Sequence, residues 1–359
     1  MASINENSTP VVRKETKNRI SVDFEGKLTF KERMMQKLKA SNTWITAGVN
    51  VVRFILMLGV SFVILYPFIS RIANSFMTHA DVLDATVSLV PKNPTLEIYK
   101  AIIIENHYFE GFLNTLLLSL MCAVVQMMVS CLVGYGLAKF KFKGNTVIML
   151  AVIITMAIPH VALQRAMMKH FELFDIATVL SWDYPGIIEL IFGEPAKMLN
   201  TFWPLFILSI GGLAFKNGLY IYLMRQFFKG VPDELEESAY VDGSGVFRTF
   251  FQIILPLAVP MMITIFLFSF SWQWTDEFYH GLFFPTSFGG EGKIILMPDM
   301  YKNGVPVSIR PYEGYGATAL YANIVKNTAG MLIIAPLIIM YLFCQRYLVE
   351  GIERSGIVG

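Results

Sequence analysis

Glu237-Ser238-Ala239-Tyr240-Val241-Asp242-Gly243-Ser244-Gly245-Val246-Phe247-Arg248-Thr249-Phe250-Phe251-Gln252-Ile253-Ile254-Leu255-Pro256 is a polar helix–glycine–helix segment between two strongly apolar runs. A simple membrane loop would need only turn residues there. Pro232 suits the first turn of a helix, and Asp233 is placed to cap or favour its N-terminus. Glu234, Glu236 and Glu237 fall in the opening turns, where negative charge complements the helix dipole. Ala239 is small enough for close approach of another surface. Gly243 lets the backbone reverse, most readily with positive φ, and Ser244 can cap the next helix. This second, apolar helix runs from Val246 to Ile254 with Arg248 as its only charge, and Pro256 and Pro260 mark its passage into the next run. The residues alone leave two readings open: a docking element that fits a cleft in a soluble subunit, or a solvated amphipathic loop.

The rest of the chain places this segment at a membrane. Apolar residues make up 55% of the sequence, charged residues 16%, and the mean hydropathy is +0.54. An average soluble domain is roughly 45–50% apolar and about 25% charged. A helix needs about 20 apolar residues to cross the hydrocarbon core. Such runs lie near 51–73, 112–138, 146–165, 202–227, 257–280 and 329–348. They are apolar on nearly every face, whereas helices around a soluble core carry a polar stripe. The expected fold is an all-α integral membrane protein of about six transmembrane helices, with the polar helix–glycine–helix segment between spans four and five.

Orientation follows from lysine and arginine placement. The N-terminal tail carries Arg13, Lys14, Lys17, Arg19, Lys27, Lys31, Arg33, Lys37 and Lys39, the second connection Lys139, Lys141 and Lys143, and the fourth Arg225, Lys229 and Arg248. The first and third connections are comparatively acidic, with Asp81, Asp84, Glu97, Glu172, Asp175 and Glu189 among their residues. Both termini are therefore expected in the cytoplasm, in a multi-pass protein of a bacterial-type cell membrane. Residues 1–20 are too polar for a cleaved secretory signal. The organisation expected is a basic N-terminal tail over 1–50, with 28–47 suited to an interfacial helix or a disordered basic tail. A transmembrane domain comes next, over 51–359, with the loop between spans four and five at 230–256.

Other chemistry finds little purchase. Cys122, Cys131 and Cys344 fall within apolar runs and read as small buried hydrophobes, not as a disulfide framework or a zinc site. His160, after Pro159, either lines a polar pathway or sits near the outer interface. Gly289-Gly290-Glu291-Gly292-Lys293 lacks the first glycine and the following Ser/Thr of a phosphate loop. No catalytic residue, metal site or resident cofactor is expected, and no nucleic-acid partner. If the chain uses ATP, the nucleotide binds another polypeptide.

Segment 233–256 resembles the cytoplasmic loop of the permease subunits of binding-protein-dependent ABC importers. That pattern is Glu-Ala-Ala, three residues, Gly, nine residues, Ile-x-Leu-Pro. Glu237, Ala239, Gly243, Ile253, Leu255 and Pro256 match it in register, with Ser238 where alanine is usual. Asn114-Thr115, Gly134-Tyr135-Gly136-Leu137-Ala138, Leu223-Met224-Arg225-Gln226-Phe227-Phe228 and the end from Gln345 to Gly359 resemble the carbohydrate branch, and within it the maltose system's second, six-span permease. The resemblance covers roughly residues 50–359; the outer connections near 170–201 and 284–327 are longer than usual for the branch.

The resemblance implies a translocation path between two permease subunits, two ATPase subunits beneath that bind ATP and magnesium, and an extracytoplasmic binding protein that delivers a sugar or oligosaccharide. It assigns coupling to the ATPase to Glu234, Glu237, Ala239, Asp242, Gly243, Ile253, Leu255 and Pro256. Trp272, Gln273, Trp274, Thr275 and Asp276 have the chemistry of a sugar path, since sugars are held by aromatic faces and polar hydrogen bonds; Lys216 either snorkels, pairs with an acid or faces that path. An interfacial aromatic belt is the alternative for the tryptophans. An importer of another small solute, an ion-coupled carrier and a membrane enzyme are the competing functions. A self-contained carrier would often show internal repeats and midplane acids, and neither is evident.

Overall fold

The computed structural model describes residues 14–15, 21–22, 41–175, 187–284, 294–302, 305–309 and 317–356. The interfacial helix expected over 28–47 lies mostly outside these residues, as does the glycine-rich 289–293. The chain divides into two compact units, Met1–Ser70 and Arg71–Gly359. The first contains most of helix α1 (Ser41–Asn74) and a two-residue antiparallel ladder of Lys14–Glu15 with Ser21–Val22. Phe54, Met57, Phe62, Val63 and Ile64 of α1 are all exposed. Apolar residues on so many sides of one helix call for hydrocarbon in place of water.

The second unit is built on α4 (Tyr108–Lys139), reached through the short helices α2 (His79–Leu83) and α3 (Glu97–Glu105). After α4 come α5 (Asn145–Ala157), a short 3-10 turn (His160–Leu163), α6 (Gln164–Glu172) and α7 (Ile187–Phe192). Next are α8 (Trp203–Ile210), α9 (Asn217–Lys229), α10 (Glu234–Val241) and α11 (Val246–Thr249). The chain closes with α12 (Leu255–Trp274), α13 (Phe278–Phe283), α14 (Met297–Lys302) and α15 (Ala317–Gly356). Helices α8, α9 and α12 pack on α4, and α15 packs on α12.

Among the described residues, four stretches are long and apolar enough to cross a membrane: Gly48–Asn74, Tyr108–Lys139, Val246–Trp274 and Ala319–Arg346. A fifth arises if α5 and the His160–Glu172 segment count as one broken span, bent by 91°. The third apolar run thus turns at Pro159, which has no N–H to continue the helix. The run at 202–227 is likewise two helices. Gly212 (φ 69°) and Lys216 (φ 65°) take left-handed backbone between α8 and α9, and such residues end an α-helix. Hydropathy registers neither interruption because the residues around both are apolar.

Close packing explains two glycines. A Cβ on Gly134 would lie 2.6 Å from Met224 Cβ and 3.0 Å from the Arg225 nitrogen, so α4 and α9 meet there nearly backbone to backbone. A Cβ on Gly218 would lie 3.0 Å from the Val152 carbonyl of α5. Small residues at such crossings let helices gain dispersion contact where lipid offers no hydrophobic drive. One buried polar knot joins three helices. Gln126 Nε2 donates to Ser209 Oγ (3.1 Å), and Ser269 Oγ donates to Gln126 Oε1 (2.7 Å).

The connection between α13 and α15 is pinned to the N-terminal end of α4. Thr115 Oγ1 accepts from the Met297 N–H at 2.8 Å, Asn114 Nδ2 donates to the Ile295 carbonyl at 3.0 Å, and Glu105 accepts from the Val307 N–H at 2.7 Å. Asp299, fully buried, accepts from the Leu296 N–H at 3.0 Å and faces His280 Nε2 at 3.2 Å. The Asn114-Thr115 pair singled out in the sequence is therefore a clasp for this connection.

Candidate functional site

The segment between α9 and α12 forms at the end of α12 away from that clasp. Glu236 and Glu237 donate their N–H groups to the Asp233 carbonyl, both at 3.0 Å, which starts α10. The Asp233 side chain makes no capping bond to the helix. It accepts instead from Lys139 Nζ at 2.6 Å, and the same ammonium donates to the Val231 carbonyl at 2.6 Å. The last residue of α4 is thereby tied to the first turn of α10, and hydrogen bonding from Lys139 holds the Asp233 carboxyl below its ordinary value. Nothing in the sequence points to this strut, because its partners are 94 residues apart.

Helix α10 ends where the glycine predicts. Gly243 has φ 82°, the Ser244 N–H donates to the Ala239 carbonyl at 2.9 Å, and the Gly243 N–H to the Tyr240 carbonyl at 3.0 Å. These reversed bonds satisfy carbonyls that the helix leaves free. Ser244 does not cap α11, whose N-cap is Gly245; its hydroxyl pairs with Thr249 Oγ1 at 3.1 Å. Glu234, Glu237 and Asp242 are exposed, whereas Glu236 and Ala239 are buried. The close approach that Ala239 permits is thus made within this chain. Beside the exposed carboxylates, Val241 is 87% and Phe247 81% exposed. This pair of bare apolar side chains around the Gly243 bend was not singled out in the sequence.

Residues Phe250–Ile254 form one π-helical turn, closed by the Leu255 N–H to the Phe250 carbonyl, and lead directly into α12. Single π-turns inside α-helices recur at functional sites. Ile253 and Leu255 are half-buried, and Pro256 is exposed in the first turn of α12, where its missing N–H costs nothing.

The sugar-path residues named from sequence separate into different roles. Trp274 is buried between Phe112 and Phe270, and its Nε1–H donates to the Ile333 carbonyl at 2.8 Å, fastening α12 to α15. Thr275 returns its hydroxyl to the Ser271 carbonyl at 3.0 Å. Asp276 caps α13, accepting from the N–H groups of Phe278 (3.2 Å), Tyr279 (3.0 Å) and His280 (3.2 Å). Trp272, by contrast, is 48% exposed and stands 5.3 Å from the Phe215 ring, with Lys216 Nζ 5.1 Å from its own ring. Gln273, Gln126, Ser269, Asp276 and Tyr279 line a narrow cleft beside Phe215 and Trp272. His160 joins the group, with Nδ1 2.7 Å from the Tyr279 hydroxyl. Lys216 and Trp272, far apart in sequence, are thus brought together, while Trp274 and Thr275 are turned away. Among the described residues, no group of histidine, cysteine, aspartate and glutamate could hold a metal ion.

Known proteins align with this arrangement. The chain is 28% identical to the alpha-glucoside transport system permease protein AglG of Rhizobium meliloti (strain 1021), over 75% of this chain and 62% of that protein. It is 26% identical to the galactooligosaccharides transport system permease protein GanQ of Bacillus subtilis (strain 168), over 85% of this chain and 94% of that one. For the maltodextrin transport system permease protein MalD of Streptococcus pneumoniae (strain ATCC BAA-255 / R6), identity is 27% over 84% and 93%. In fold it matches a chain of a bacterial ABC transporter involved in the import of the acidic polysaccharide alginate, with a TM-score of 0.59, 22% identity, and 86% and 98% coverage. The family model for the binding-protein-dependent transport system inner membrane component matches residues 126–354, which hold segment 233–256 and the cleft. With well over half its length matched, the chain belongs to the family of binding-protein-dependent transport system inner membrane components.

Proposed function

We propose that this chain is the permease subunit of an ATP-driven ABC importer and forms half of the translocation path for a sugar or oligosaccharide. The observation that carries this reading is segment 233–256. It presents exposed carboxylates at Glu234, Glu237 and Asp242 and bare apolar side chains at Val241 and Phe247 around one glycine bend, at the start of a membrane-spanning helix. That combination suits insertion into a cleft of a soluble ATPase subunit. A push on α10 passes into α4 through Lys139 and into α12 through the continuous backbone from α11. A two-state bundle biased in this way by differential binding of ATP and solute is a coupling device in the thermodynamic sense.

A second permease completes the path, two ATPase subunits bind ATP and magnesium on the cytoplasmic side, and a binding protein delivers the solute from outside. Both termini are cytoplasmic. ATP hydrolysis belongs to the separate ATPase chains. The sugar class rests on the relatives, whose names refer to alpha-glucosides, galactooligosaccharides and maltodextrin. Within this chain the contacts assigned to the sugar are Trp272, Gln273 and Lys216, on the open side of the cleft. Sealed membrane vesicles carrying the complete complex test the reading: labelled saccharides should enter only with ATP and the binding protein. Uptake that persists without ATP would refute it.

A further inference from the structure

Lys216 stands beside the cleft, over the Phe215 and Trp272 rings that border it. Lys216 sits in the break between α8 and α9, in the left-handed backbone region that non-glycine residues seldom adopt. Its Nζ lies 4.8 Å from the Phe215 ring centroid and 5.1 Å from that of Trp272. Among the described residues it forms no ion pair with a carboxylate. The acid of that cleft, Asp276, turns its oxygens to backbone amides and not to Lys216: Oδ1 accepts from the Phe278 N–H, and Oδ2 from those of Tyr279 and His280. His160 is turned to the Tyr279 hydroxyl. The aromatic faces hold Lys216 in place through cation–π attraction and leave its three donors without a carboxylate partner among the described residues.

Hydrocarbon excludes an ionisable side chain, which turns to a bundle interior or to water. Lys216 stands in the break between two short helices, and Trp272, in the last turn of a membrane-length helix, is exposed beside it. A neutral sugar stacked on Trp272 would leave this cation uncompensated. A sugar bearing one carboxylate would supply the missing charge through a charge-assisted hydrogen bond, shorter and stronger than a neutral one. A phosphorylated sugar would bring about two charges to a single cation.

We infer that the Phe215–Lys216–Trp272 shelf selects a carboxylate-bearing saccharide, with Lys216 as the residue that distinguishes acidic from neutral sugars. The inference rests on the importer reading above and narrows its substrate class. The test uses vesicles with the complete complex and compares ATP-driven uptake of digalacturonate, trigalacturonate and mannuronate dimers with that of maltose, cellobiose and galactobiose. The wild type should take up one or more of the acidic probes. Lys216→Met should raise the concentration for half-maximal uptake by about tenfold or more, the loss expected of one charged hydrogen bond, and Lys216→Arg should restore most of it. Uptake of the neutral sugars alone would overturn the inference. So would a Lys216→Met variant that moves acidic probes as well as the wild type, or that loses acidic and neutral probes alike. That last result would mark Lys216 as pairing with an acid of the second permease. If Lys216→Met fails to assemble with its ATPase, the wild-type preference and Lys216→Gln decide. If no saccharide of either kind moves with ATP, the sugar-importer reading itself falls.

Discussion

Gly134 and Gly136 lie two residues apart on α4, and alanine at the two positions should have opposite effects. At Gly136 an added Cβ meets nothing within 4 Å, so the substitution only removes backbone freedom from a helix interior. That gain is at most about 1 kcal/mol. At Gly134 the same methyl would stand 2.6 Å from Met224 Cβ, 3.0 Å from the Arg225 nitrogen and 3.1 Å from the Met224 carbonyl carbon. Carbon atoms pack best at about 3.5–4.0 Å, so α9 must retreat from α4 by about 1 Å along this crossing. Two of the three atoms are backbone, so a rotamer change cannot relieve the clash. Overpacking of this kind typically costs about 1–3 kcal/mol, which outweighs the propensity gain. Gly134→Ala should therefore lower the thermal midpoint of the detergent-solubilised chain, while Gly136→Ala leaves it unchanged or raises it. The displaced helix carries Arg225, whose Nε donates to the Leu137 carbonyl at 3.3 Å, so the same variant should lower activity in the assembled importer. Equal midpoints for the two variants would refute the close crossing of α4 and α9.

Other contacts give three more expected outcomes. Trp274→Phe strands the Ile333 carbonyl in a buried site and should cost about 1–3 kcal/mol in thermal or denaturant unfolding, whereas Trp272→Phe, at an exposed position, should cost far less; equal losses would contradict the separate roles. Lys139→Met cuts the strut to Asp233 and Val231, so amides of α10 should exchange faster while those of α12 stay protected, and unchanged exchange in α10 would show that the strut carries no load. Just after α2, Asp84 accepts from Lys92 Nζ, from the Thr86 hydroxyl at 2.6 Å and from its N–H at 2.9 Å, and these bonds, led by Lys92, hold its carboxyl below the ordinary value of 3.8. A depressed pKa means stability that is fully present above that ordinary value and is lost as pH falls through the folded one. Protection of the Thr86 amide, corrected for intrinsic rate, should therefore hold from pH 7 to about 5 and fade only below about 4, and Asp84→Asn should abolish the dependence.

Much of the fold is legible in the sequence because the bilayer demands long apolar helices, and Gly48–Asn74, Tyr108–Lys139, Val246–Trp274 and Ala319–Arg346 meet that demand. The breaks at Pro159 and at Gly212–Lys216 are not legible in hydropathy, which averages over a window and is blind to φ. The bend at Gly243 is legible, since a glycine after an acidic helix start and before a second apolar helix has few other uses. The tryptophans illustrate a finer limit. Residues two apart on a helix lie about 200° apart, so Trp272 and Trp274 cannot both face the path, and only the packing of α15 decides which is buried. Lys216 and Lys139 are single cations whose meaning depends on rings and carbonyls far away in sequence, and no spacing rule reaches that far.

If segment 233–256 docks into a separate ATPase and couples it to the membrane helices, the two chains should travel together out of the membrane. A mild-detergent pull-down of the tagged full chain from its native membrane, with mass spectrometry of the proteins retained, checks this without any assumption about the solute. A second multi-span permease and an ATPase should be in the complex, with the ATPase lost when Gly243 is replaced by valine or Glu237 by lysine. A chain that purifies alone from membranes where it still moves solute without ATP would show that the segment couples nothing.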